Sequence, residues 1–142
     1  GLVDESIPAL QDWEFWIRAA AYTQFAFLPE VLTKGIVLAD SIANNLVKRL
    51  RGREFIFIKH EQLFKTLPQT YARHAYSIGN THALMGAPAK GLPFLKKAFF
   101  ACPFKPKYLA ACILAYTAVL CRRDKLYKSL ARIFHSARRD AA

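Results

Sequence analysis

The chain has 142 residues, 54% hydrophobic and 13% aromatic, which excludes a disordered tail and leaves room for a sizeable core. Its net charge is +11, unevenly spread: residues 1–47 carry a net −4 and residues 48–142 a net +15. That asymmetry predicts two parts with different roles, and the basic part fits nucleic acid, an anionic membrane surface or a solvated charged face.

Gly1 to Ala9 reads as a loop, with Asp4, Ser6 and Pro8 as turn and cap residues. Trp13, Trp16, Ile17 and Ala20 then recur at i, i+3, i+4 and i+7, the apolar face of a helix running from Gln11 to about Tyr22. Phe25–Leu28 reads as a short buried strand stopped by Pro29, and residues 31–38 as a second extended piece. Asp40-Ser41 predicts a cap for a long helix from about Ile42 to Phe64, with Gly52 as its point of interruption. Leu67-Pro68 ends it. Helices follow over about 69–85, 89–101, 106–121 and 124–137, separated by Gly86-Ala87-Pro88, Cys102-Pro103 and Arg122-Arg123. The expected fold class is mainly α, with short β segments near residues 25–28 and 31–38, and then a helical C-terminal region.

The chemistry-bearing residues are few. His60, His74, His82 and His135 lack metal-ligand spacing, and no metal site is expected within this chain. Cys102, Cys112 and Cys121 form neither a CxxC pair nor an even framework, which points to buried thiols in a reducing, cytoplasmic setting. The 14-residue uncharged run from Tyr108 to Cys121 falls short of the roughly 20 residues that a membrane-spanning helix needs, so it reads as a central packed helix. Flanking cations, Lys105, Lys107, Arg122, Arg123, Lys125 and Lys128, would suit an anionic bilayer surface. Arg49, Arg51 and Arg53 resemble a nucleic-acid patch only by charge; no accompanying motif supports nucleic acid as a partner. The chain opens Gly1-Leu2-Val3 with neither an initiator Met nor a signal peptide, as expected of a piece of a longer protein.

Three spaced elements then carry a resemblance: Asp4-Glu5-Ser6; Gln11-Asp12-Trp13-Glu14-Phe15-Trp16-Ile17-Arg18; and Phe27-Leu28-Pro29-Glu30-Val31-Leu32. In order and spacing they resemble the end of the catalytic domain of family-2, GT-A-fold, inverting glycosyltransferases. On residue type alone, an Asp at a helix start is a cap or dipole partner. The resemblance makes Asp12 the general base that deprotonates an acceptor hydroxyl, with Gln11 and Trp13 on the acceptor side. It also implies a nucleotide-sugar donor, a saccharide or lipid-linked acceptor of surface polysaccharide synthesis, and a divalent metal, Mg or Mn. The Asp-x-Asp that would hold that metal, and the nucleotide-binding strands, are missing from these residues, so the chain alone is expected to be inactive. The sequence departs from the family at Gln11, where many relatives carry an acid, and at Ile36 and Leu38, where many carry an Arg-x-His pair.

A second resemblance lies further on. Ile78-Gly79, Gly86, Leu95, Ala98 and Pro103 are spaced like the positions of a tetratricopeptide repeat, with Gly91 where Ala is usual and His82 where an aromatic is usual. The expected organisation is thus residues 1–45 from a catalytic domain, 46–68 as a linking helix, and 69–142 as a tetratricopeptide-like tail of the kind found in some bacterial members. The rival expectation is a non-catalytic helical module that recruits a protein partner or an anionic membrane surface. The expected location is cytoplasmic, peripheral at the inner membrane face.

Overall fold

The computed structural model describes residues 2–35 and 45–121, with Tyr127 and Ser129. The fold is mainly α. Among the described residues there are six helices and no strand: α1 Gln11–Ala19, α2 Leu46–Lys59, α3 Glu61–Lys65, α4 Pro68–Leu84, α5 Pro88–Ala101 and α6 Pro106–Leu120. The chain divides into two compact units, Gly1–Lys59 and His60–Ala142.

In the first unit, α1 starts from Leu10, held in the left-handed region at φ 69°. A leucine there is strained by roughly 1 kcal/mol, so the turn into α1 is imposed by its surroundings. The side-chain oxygen of Asn45 accepts the Lys48 N–H at 3.0 Å and caps the start of α2. Ile7 and Ala9 are buried in this unit, as are Leu50, Gly52, Ile56 and Phe57 of α2. Gly52 lies directly beside the Ala9 backbone, where any Cβ would collide with its carbonyl oxygen. Gly52 is therefore a packing residue within an unbroken α2, not the interruption that the sequence suggests. The helix ends instead before His60, and Glu61–Lys65 is a separate short helix. Residues 46–68 thus form two helices plus the start of α4, and the unit boundary falls between Lys59 and His60.

Where the predicted β segments are described, at residues 25–28 and 31–35, they form no strand. Residues 23–35 are irregular, and Phe25, Phe27, Leu28, Val31 and Leu32 are exposed. A strand needs a neighbour to satisfy its N–H and C=O groups, and the described residues contain none. Positions 36–38, with Ile36 and Leu38, lie outside the described residues, as do the Asp40-Ser41 cap and nearly all of the predicted helix 124–137.

In the second unit, α4, α5 and α6 each begin with Pro in the first turn, where its missing N–H costs nothing. Gly86, at φ 88°, turns the chain between α4 and α5, and so short a connection makes them an antiparallel hairpin. They approach closely at Gly79 against Gly91: a Cβ on Gly79 would stand 2.7 Å from the Gly91 oxygen and 2.8 Å from Leu95 Cγ. The core is built from Ala83, Leu95, Ala111, Ala115, Ala118 and Tyr127, so α6 packs through a face of small residues. The Tyr127 hydroxyl donates to Asn80 Oδ1 at 2.7 Å, which satisfies a polar group taken into that core.

Candidate active site around Asp12

The first turn of α1 carries Gln11, Asp12 and Trp13. Asp12 is exposed, and its Oδ1 accepts the Trp13 N–H at 2.8 Å. Gln11 and Trp13 are half-buried beside it.

The inward face of α1 differs from the one that apolar spacing predicts. Trp16 is 54% exposed, and Ala20 is exposed too. The Trp16 ring meets Phe15 edge-on at 5.2 Å and Phe25 at 5.7 Å between centroids, so its surroundings are a surface aromatic group. The residue that goes inside is Glu14, fully buried. Arg18 Nε donates to both Glu14 oxygens, at 3.0 and 2.9 Å, and Lys59 Nζ reaches Glu14 Oε1 at 2.8 Å. Burial of this carboxylate is tolerable because both its oxygens are paired; an unpaired one would be far costlier.

The cluster extends to the entry loop. Lys59 Nζ also binds Asp4 Oδ2 at 2.6 Å, while Asp4 Oδ1 accepts from the Ser6 N–H at 3.1 Å and the Ser6 hydroxyl at 2.5 Å. Arg18 Nη2 donates to the Leu2 carbonyl at 2.8 Å. The Lys59 and Ser6 hydrogen bonds hold the Asp4 carboxyl down at about 2. In return, Asp4 first and Glu14 second raise the Lys59 ammonium above its ordinary value. Asp4, Glu14, Arg18 and Lys59 thus tie the loop, α1 and the end of α2 together beneath the turn that presents Asp12.

Sequence spacing offers Glu14–Arg18 as an i, i+4 pair, but no sequence signal marks Lys59 as their shared partner. Among the described residues no three His, Cys, Asp or Glu side chains gather to hold a metal ion, and the cysteines are free thiols. Burial pushes the Cys112 thiol upward, toward an inert protonated form.

No family model matches the sequence, and no curated protein or solved structure matches it either.

Proposed function

We propose that this chain supplies the acceptor side of an inverting, nucleotide-sugar-dependent glycosyltransferase, with Asp12 as its general base. The observation that carries the reading is the division of labour along one helical turn. Glu14 is locked inside by Arg18 and Lys59, while Asp12, two residues earlier, faces solvent from a turn that this lock holds still. A base must be both reachable and fixed, and this arrangement meets both needs.

In the proposed reaction the acceptor hydroxyl donates a hydrogen bond to an Asp12 oxygen. As the hydroxyl oxygen attacks the anomeric carbon, its proton passes to Asp12 and the bond from that carbon to the nucleotide diphosphate breaks on the opposite face. The anomeric centre inverts. Gln11 and Trp13 would border the acceptor, and the exposed Trp16–Phe25 pair adds an aromatic surface suited to a sugar ring. The donor and its Asp-x-Asp belong, on this reading, to polypeptide outside these residues. A divalent metal bound there would neutralise charge on the departing diphosphate.

The test is Asp12→Asn in the longer polypeptide that contains the donor half. Turnover should fall by about 10²–10⁴-fold, the range of a lost general base, while nucleotide-sugar binding persists. Near-normal turnover would overturn the assignment.

One observation favours a second reading. The α4–α5 hairpin, closed through Gly79 and Gly91 and extended by α6, is the kind of helical stack that binds partners, consistent with the tetratricopeptide resemblance. On that reading the chain is a recruiting module and Asp12 is structural. Upstream sequence with alternating strands and helices and an Asp-x-Asp favours the enzyme; sequence without them favours the module. Either way we place the protein in the cytoplasm, peripheral at the inner membrane face. No helix among the described residues is long and apolar enough to cross a membrane.

A further inference from the structure

Among the described residues, the two most exposed aromatic rings of the second unit lie close together in the chain. Phe104 is 97% exposed and Phe100 is 76% exposed. Phe104 sits in the turn between α5 and α6, between Pro103 and Pro106. The two prolines fix the backbone φ on either side, so little freedom remains to be lost when the ring is bound. Phe100 is on the last turn of α5, and Lys96 stands four residues before it, on the same helical face.

These residues share one end of the helical unit. Lys65, Pro68, Lys96, Lys97 and Phe100 line a shallow open groove of about 440 Å³ between the start of α4 and the end of α5. Cys102 Sγ lies 3.6 Å from the Pro68 carbonyl oxygen, which sets the Phe104 turn beside the start of α4. Lys105 and Lys107 continue from that turn, Lys107 with its ammonium 4.9 Å from the Tyr108 ring centroid. Among the described residues this end therefore holds five lysines against one carboxylate, Glu61, which is already bound by Lys97 at 2.9 Å and Lys65 at 3.6 Å.

We infer that this end of the second unit is a docking surface for an anionic lipid bilayer, with Phe100 and Phe104 entering the interface and Lys65, Lys96 and Lys105 meeting the headgroups. The inference rests on the peripheral placement proposed above and assigns it a surface. Charge complementarity selects an anionic occupant, and the form of the patch selects a bilayer. Its apolar part projects outward from a turn, so an acidic peptide seated in the groove would leave Phe104 in water. Single-stranded nucleic acid would ask for a row of rings offered to successive bases, whereas here one ring lies within a proline-bounded turn and the other on the helix before it. A headgroup region takes both chemistries at once: phosphates for the ammonium groups, and the acyl boundary for the rings.

The experiment is co-sedimentation of the 142-residue chain with vesicles of about 30% phosphatidylglycerol in phosphatidylcholine at about 0.05 M salt, against phosphatidylcholine alone. The chain should bind the anionic vesicles and be released at about 0.5 M salt. Phe104→Ser should weaken binding by about tenfold or more, and Lys96→Gln and Lys105→Gln by about fivefold each, with unchanged far-UV circular dichroism. If the unaltered chain ignores anionic vesicles at low salt, both the peripheral placement and this surface fall. If it binds but all three variants bind equally well, the surface is wrong and the placement stands. Capture of poly-glutamate or single-stranded DNA in place of vesicles, lost in the same variants, would show that the patch has a different occupant.

Discussion

Glu14→Gln is the sharpest probe of the first unit, because it keeps the side chain's shape and removes only its charge. Glu14 is fully buried and holds Arg18 at 2.9 Å and Lys59 at 2.8 Å, whose side chains are 31% and 34% exposed. Breaking a wholly buried pair costs about 3–5 kcal/mol. Here the two cations regain some water, and Lys59 keeps Asp4, so the loss should be about 2–3 kcal/mol. Both tryptophans, Trp13 and Trp16, lie on α1, so tryptophan fluorescence reports this unit selectively. A unit of this size has a urea dependence of about 1 kcal/mol per molar, so the fluorescence midpoint should drop by about 2 M. A midpoint within about 0.5 M of the parent would refute the idea that Glu14 anchors α1. Asp12→Asn should leave the same midpoint nearly unmoved, which separates anchoring from the proposed catalysis: the first variant should lose stability, the second, on the proposed reading, only turnover.

In the second unit, Gly91→Ala should lower the melting temperature of the helical signal by several degrees. Its new methyl meets the Gly79 carbonyl and would lie 3.2 Å from His82 Cβ, so the helices must separate there. Gly35→Ala, with nothing within 4 Å, should be silent. For pH, the Asp4 carboxyl is lowered from 3.8 to about 2 in the folded chain, so its stabilising effect is complete above about pH 4 and lost as the pH falls toward 2. Asp4→Asn should flatten the first unit's acid-unfolding profile over that window in a fluorescence titration; an unchanged profile would place the acid sensitivity elsewhere.

What was legible in the sequence was whatever is encoded locally. The helices predicted over 69–85, 89–101 and 106–121 occur at 68–84, 88–101 and 106–120, because prolines set their starts and Gly86 sets the turn within the hairpin. Asp12 could be placed at a helix start from its neighbours alone. Features that depend on distant residues could not be read. Glu14 goes inside, ahead of Trp16, because Lys59 arrives from the end of α2, and hydrophobic spacing on α1 contains no trace of that partner. Gly52 looked like a helix breaker but is the point where Ala9 comes close, a fact of packing that propensity does not hold. Phe25–Leu28 has the composition of a strand, yet composition cannot supply the neighbouring strand that would make it one.

The unit boundary also changes what the charge means. Counted along the sequence, basic character begins at Lys48. Folded, Lys48, Arg49, Arg51, Arg53 and Lys59 belong to the first unit, which then holds seven cations and seven acids and is neutral. The second unit holds fourteen cations and three acids, so it accounts for the whole +11. Long-range attraction for an anionic surface therefore resides in the unit that carries the Phe100–Phe104 patch. The turn bearing Asp12 sits in a unit of zero net charge, which suits the proposed base, whose partner would be a neutral hydroxyl: there, position would matter more than steering. Salt should accordingly weaken the inferred docking by the second unit steeply, while barely altering the proposed proton transfer at Asp12 once an acceptor is bound.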